Sequence, residues 1–143
     1  MKRAVCLLLL KDLVHCKEVL IVERVNDNGI GLPGGKVEND ETSLAAIIRE
    51  VKEETNLTLE ERHLMLVYTT IVNGYYCKTY YVKPEYIISG EIDLKEIKQM
   101  EKHIIPKFVK FNNTEFVMPS VYMAYNRGLL VNSDEIIKNY KEG

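Results

Sequence analysis

The segment GLPGGKVENDETSLAAIIREVKEETNL, residues 31–57, gathers Glu50, Glu53 and Glu54 beside Arg49, with Glu41 upstream and Gly34-Gly35 before it. On a helix, residues three and four apart are neighbours, and each like-charged pair costs about 0.2–0.5 kcal/mol. Two readings fit such a cluster: a solvated acidic face, or carboxylates balanced by a divalent cation. Mg²⁺ and Mn²⁺ are hard ions that take oxygen ligands, and Mg²⁺ commonly combines carboxylates with substrate phosphate oxygens. The glycine pair favours the second reading, because it lets backbone approach a ligand closely and offers a carbonyl to the metal. The chemistry in prospect is therefore the binding of a divalent cation, an ion whose remaining positions substrate phosphates can fill.

A helix has to present these groups together. ETSLAAIIREVKEET, residues 41–55, combines good helix formers without Gly or Pro and predicts about four turns. Asp40 is the expected cap, and Asn56 stands where the chain leaves the helix. At 100° per residue, Leu44, Ile47, Ile48, Val51 and Thr55 share one arc of roughly 100° and should dock on a sheet. Glu50, Glu53 and Glu54 share another, with Ala46 between them leaving room. RAVCLLLL and EVLIVERV, joined by KDLVHCK, read as the preceding strands. LMLVYTTIV and YYCKTYYVK read as a hairpin around Asn73-Gly74, where positive φ is tolerated. EYIISGEI extends the sheet, and LKEIKQMEKHI is either a short helix or a charged loop ended by Pro106. KFVKF is a further strand and MPSVYMAYNRG a helix, with Pro119 near its start and Gly128 past its end. NSDEIIKNYKEG makes a last helix, with Asn132 and Glu135 spaced as a capping box. The interleaving, with hairpins, predicts a mixed α/β sandwich.

Gly35, Glu41, Arg49, Glu50, Val51, Glu53, Glu54 and Leu57 fit the pattern G-x₅-E-x₇-R-E-U-x-E-E-x-G-U, with U apolar. The segment resembles the Nudix box of the Nudix hydrolases. Asn56 departs from it, standing where the family has glycine; Asn also accepts a left-handed helix end, so the geometry should survive. The resemblance implies a single Nudix domain over residues 1–143, an α+β fold arranged as an α/β/α sandwich with a mixed sheet. It implies hydrolysis of a diphosphate in a nucleoside diphosphate derivative, with Mg²⁺ or Mn²⁺. Glu53 and Glu54 would be the principal metal ligands, Glu50 a further ligand or the base, and the Gly34 carbonyl a backbone ligand. Arg49 would orient a carboxylate with Glu41 supporting it, while Gly35 and Arg24, ending LIVER, would lie against substrate. A glutamate from a later loop, Glu101 or alternatively Glu96, would complete the site. Phe108 stands where the family often has tryptophan.

A nucleoside triphosphate is the first substrate expectation, including oxidised guanine nucleotides such as 8-oxo-dGTP. Dinucleoside polyphosphates, nucleotide sugars, ADP-ribose and mRNA caps stay open, as does a sensor that binds nucleotide without turnover. A net charge of −2 gives no field for a nucleic-acid polymer. Cys6, Cys16 and Cys77 lack C-x-x-C spacing and read as thiols of a reducing compartment. MKRAVCLLLLKD faintly imitates a secretory signal, but Lys11 and Asp12 interrupt the apolar run, and no stretch is long enough to span a bilayer. A cytoplasmic enzyme is expected; relatives of this kind are often homodimers, a point the sequence leaves open. His15, His63 and His103 have no metal-ligand spacing. The six tyrosines from Tyr68 to Tyr86 read as sheet packing, with a base-stacking platform as the alternative.

Overall fold

Alternate residues of VCLLLL go to opposite sides of the molecule, and this division organises the fold. The computed structural model describes residues 2–11, 18–27, 29–88, 97–110 and 115–130. His15, Cys16, Glu96 and the helix expected over 132–143 lie outside the described residues. The elements in order are β1 (Lys2–Leu8), β2 (Leu10–Lys11), β3 (Glu18–Arg24), β4 (Gly29–Gly31), β5 (Gly34–Lys36) and α1 (Ser43–Thr55). They continue as β6 (Met65–Val72), β7 (Tyr75–Tyr81), α2 (Glu85–Ile88), β8 (Ile104–Lys110) and α3 (Met118–Asn126).

One mixed sheet has the order β5-β1-β7-β6, in which β1 and β7 run parallel and the other pairs antiparallel. In the second sheet β3 pairs with β2 and β4, and also with β8. Val5, Leu7 and Leu9 join Ala46, Ile47 and Val51 of α1 in one core, while Leu8 and Leu10 join Val121 and Ala124 of α3 in another. A helix thus lies against each core, the α/β/α layering expected. Burial of each large aliphatic side chain contributes about 1.5–3 kcal/mol, which outweighs the local repulsion on α1. No helix among the described residues is long and apolar enough to cross a membrane.

Local chemistry sets the ends of α1. Thr42, not Asp40, is the cap: its Oγ1 accepts from the Ala45 amide at 3.1 Å. The helix cannot start earlier, because residues 38–41 form a turn in which the Glu41 amide donates to the Glu38 carbonyl. At the other end Asn56 is left-handed, with φ 70°, and its amide returns to the Lys52 carbonyl. Asn73 and Gly74 have φ 49° and 80°, the two positive values of a tight hairpin.

Three further expectations are corrected, and the choice left open between helix and loop is decided. EYIISGEI does not extend the sheet where it is described: Glu85–Ile88 is a helical turn that buries Ile87. Pro106 does not end an element; it lies within β8, opposite Val22. That strand pairs on one side only among the described residues, where a missing amide costs no ladder bond. The described part of KQMEKHI, from Lys98 to His103, is loop and turn. Ala46 leaves no room beside the carboxylates, being fully buried where α1 meets the sheet.

Asn56→Gly should leave stability and activity near wild type, whereas Asn56→Ala should lose about 1 kcal/mol in urea unfolding, because alanine pays for the left-handed conformation.

Candidate active site

Strand β5 places the backbone of the site. Gly34 pairs with Cys6 and Gly35 with Val5. A Cβ on Gly34, at φ 155°, would stand 2.0 Å from the Val5 carbonyl oxygen. A Cβ on Gly35 would stand 2.5 Å from Glu50 Cδ. The two glycines are therefore required for different reasons: one lets β5 reach β1, the other makes space for a carboxylate.

Docking of α1 on the sheet then sets the depth of each glutamate. Glu54 is buried, its side chain 4% exposed, and accepts from the Gly34 amide at 2.7 Å. Arg24 Nη1 approaches it at 3.4 Å. Glu50 is mostly buried, its side chain 17% exposed, and Glu53 is 46% exposed. Arg49 gathers the others: Nε and Nη2 donate to the two Glu41 oxygens at 2.8 and 2.9 Å, and Nη1 donates to Glu50 at 3.0 Å and Glu53 at 3.4 Å. Nη2 also donates to the Lys36 carbonyl at 3.2 Å, tying the helix to β5.

The matching family model is described as a NUDIX domain and covers residues 1–103. The chain belongs to the Nudix hydrolase family. A Methanocaldococcus jannaschii protein named as an ADP-ribose pyrophosphatase is 30% identical over 121 residues, 78% of this chain and 69% of that one. A NUDIX hydrolase from Nitrosomonas europaea superposes with a TM-score of 0.63 at 20% identity, over 97% of each chain. A MutT/nudix family protein from Enterococcus faecalis gives 0.59 at 18% identity, over 76% of this chain and 43% of that one. At such identities the two structures speak for the fold alone.

Within this Nudix chain, the electrostatics follow from position. The Arg49 fork holds Glu41 down to about 2, and Arg49 is itself raised, chiefly by its bonds to Glu41. Burial raises Glu50, against the pull of Arg49. Burial raises Glu54 to about 7, opposed by the Gly34 amide and Arg24 and reinforced by Glu50 and Glu101. Glu101 therefore stands within electrostatic reach of the cluster, while its carboxylate meets His103 Nε2 at 3.3 Å. Arg24 lines a cavity of about 350 Å³ with Glu23, Val25, Gly29 and Ile30. Phe108 packs against the α1 core under Lys11, 5.5 Å from its ring. Tyr80 and Tyr81 are buried, and Tyr86 stacks on His63 at 3.8 Å.

An oxygen-only set of carboxylates around a close-approaching backbone suits a hard divalent cation by its donor chemistry. Among the described residues no three such side chains already stand in ligand geometry, since Glu50 and Glu53 are turned to Arg49 and Glu54 to Gly34. The sequence reading missed Arg3, whose guanidinium donates to the Glu38 and Glu41 carbonyls at 3.3 and 3.1 Å and braces the turn before α1. No motif marks it, because both its partners are backbone atoms some 35 residues away.

The pH sign for Glu54 is definite. Its folded value, about 7, exceeds the ordinary 4.5, so the metal-free protein loses stability as pH rises through that window. The loss amounts to roughly 3 kcal/mol by pH 8. Glu54→Gln should therefore raise the metal-free Tm at pH 8 and leave it nearly unchanged at pH 4.5.

Proposed function

We propose that this enzyme hydrolyses a diphosphate linkage in a nucleoside diphosphate derivative, with Mg²⁺ or Mn²⁺ held by Glu53, Glu54 and the Gly34 carbonyl and with Glu50 as the base. The observation that carries the proposal is a buried Glu54 carboxylate with Glu50 and Glu101 close enough to raise it further. Charges so placed are costly unless a cation accompanies them. When bound, that cation neutralises phosphate oxygens and lowers the pKa of water.

The residues divide the remaining work. Glu50, raised by burial and aimed by Arg49, takes the proton of the attacking water. The water oxygen bonds to phosphorus, the bridging P–O bond breaks, and the leaving phosphate departs with its electron pair. Arg49 holds Glu50 in place, and the fork to Glu41 fixes Arg49. Arg24, between Glu54 and an open cavity, meets a substrate phosphate. Glu101 serves as a further ligand or an alternative base.

A nucleoside triphosphate, cleaved to monophosphate and pyrophosphate, is the first reading of substrate, with oxidised guanine nucleotides included. The Methanocaldococcus jannaschii relative favours ADP-ribose as the second.

A panel of nucleoside triphosphates, ADP-ribose, nucleotide sugars and dinucleoside polyphosphates, with products separated, tests the proposal. Turnover should need Mg²⁺ or Mn²⁺ and stop with chelator. Glu50→Gln should lower kcat about 10²–10⁴-fold, and Glu41→Gln about 10–100-fold, both with the fold intact by circular dichroism. A wild type that bound nucleotide yet cleaved nothing on the panel would make the protein a sensor instead.

A further inference from the structure

Strand β5 is an edge of its sheet among the described residues, and its two faces carry opposite charge. Gly35 lies toward α1 and Glu50. Its neighbour Lys36 pairs with Ala4 and so projects from the other face. Lys2 lies two residues from Ala4, and it pairs with Tyr75 across β1 and β7, so both share the face of Lys36. The outcome is a convergence: the Lys2 and Lys36 ammonium groups stand 5.7 and 5.6 Å from the centre of the one Tyr75 ring. With Arg3, Val37 and Asn39, these three residues line a cavity of about 490 Å³.

Two ammonium groups on one ring repel each other, and each gains only about 0.5–1 kcal/mol from the aromatic face at an exposed site. Neither has a carboxylate partner among the described residues. Of the three acids that follow β5, Glu41 is forked to Arg49 and Glu38 lies 4.0 Å from Arg49 Nη2, while Asp40 is exposed and pairs with neither lysine. The cleft therefore has the charge and the room for an anion. The Lys36 carbonyl accepts from Arg49, so this cleft begins one residue along β5 from the carboxylate cluster.

We infer that the cleft between Lys2, Lys36 and Tyr75 takes an anionic group beyond the scissile diphosphate, so that the substrate crosses the β5 edge with phosphates on both sides. The inference rests on the hydrolase reading above and deepens it. It selects substrates that carry a further phosphate, as nucleoside triphosphates do, over those that end in a neutral sugar, as ADP-ribose and nucleotide sugars do. A hydroxylated sugar offers no charge to two lysines, whereas a phosphate oxygen can meet both.

Two measurements test it. In Lys2→Gln/Lys36→Gln, the ratio of kcat/KM for a nucleoside triphosphate to that for ADP-ribose should fall at least tenfold, through KM, and Lys2→Arg/Lys36→Arg should restore most of it. Separately, inorganic tripolyphosphate titrated calorimetrically into the metal-free protein should bind the wild type and not the glutamine double variant. An unchanged ratio, or equal tripolyphosphate binding by both proteins, overturns the inference. If the wild type cleaves no nucleotide, the hydrolase reading fails on that result, and the tripolyphosphate titration alone decides the cleft.

Discussion

The structure turns on keeping several carboxylates close together with one of them removed from water. Glu54 is the extreme case, buried against β5 with a single amide at 2.7 Å and the Arg24 guanidinium at 3.4 Å for company. Everything around it serves that placement. Gly34 has no side chain, so its amide can reach Glu54 while its strand touches β1. Ile47 and Val51 anchor the helix to the sheet, which leaves the carboxylate little freedom to escape into solvent. Arg49 spreads one positive charge over four acids, enough to orient them and too little to neutralise them. The protein thus carries local instability that a packed core of aliphatic side chains offsets elsewhere.

Much of this was legible in the residues, because the decisive features are local. The glutamate spacing, the left-handed Asn56 and the Asn73-Gly74 turn depend on a few neighbouring positions, and the structure has them as expected. The pairing of Arg49 with Glu41 spans only eight residues and follows from the motif that the chain shares with its family. The errors came where competition between partners decides the outcome. Asp40 and Thr42 are both good caps, and the turn through Glu38 and Glu41 settles which one serves. Pro106 looks like a breaker until the one-sided pairing of its strand is known. Ala46 is small because the helix approaches the sheet there, not because a ligand does. Arg3 and the Lys2–Tyr75–Lys36 group depend on strand register between distant segments, which no local pattern encodes.

The same register explains why one short edge strand matters so much. Only three residues long, β5 supplies the amide for Glu54, the gap for Glu50, the carbonyl for Arg49 and, on its reverse, Lys36. Each role belongs to a different atom or direction of the strand, so they do not compete. The cost is that none can shift without disturbing the others.

The leucine run of β1 and β2 shows a related economy, with an evolutionary corollary. Because odd positions from Val5 to Leu9 feed one core and Leu8 and Leu10 the other, the segment has a parity. Substituting one aliphatic residue for another there changes volume by a methylene or two. Adding or deleting a single residue would send every side chain downstream of the change to the wrong layer and move Lys2, Ala4 and Cys6 relative to β5. A length change is thus tolerable only in the connections between strands, whereas this stretch can exchange one aliphatic residue for another provided that its residue count stays constant.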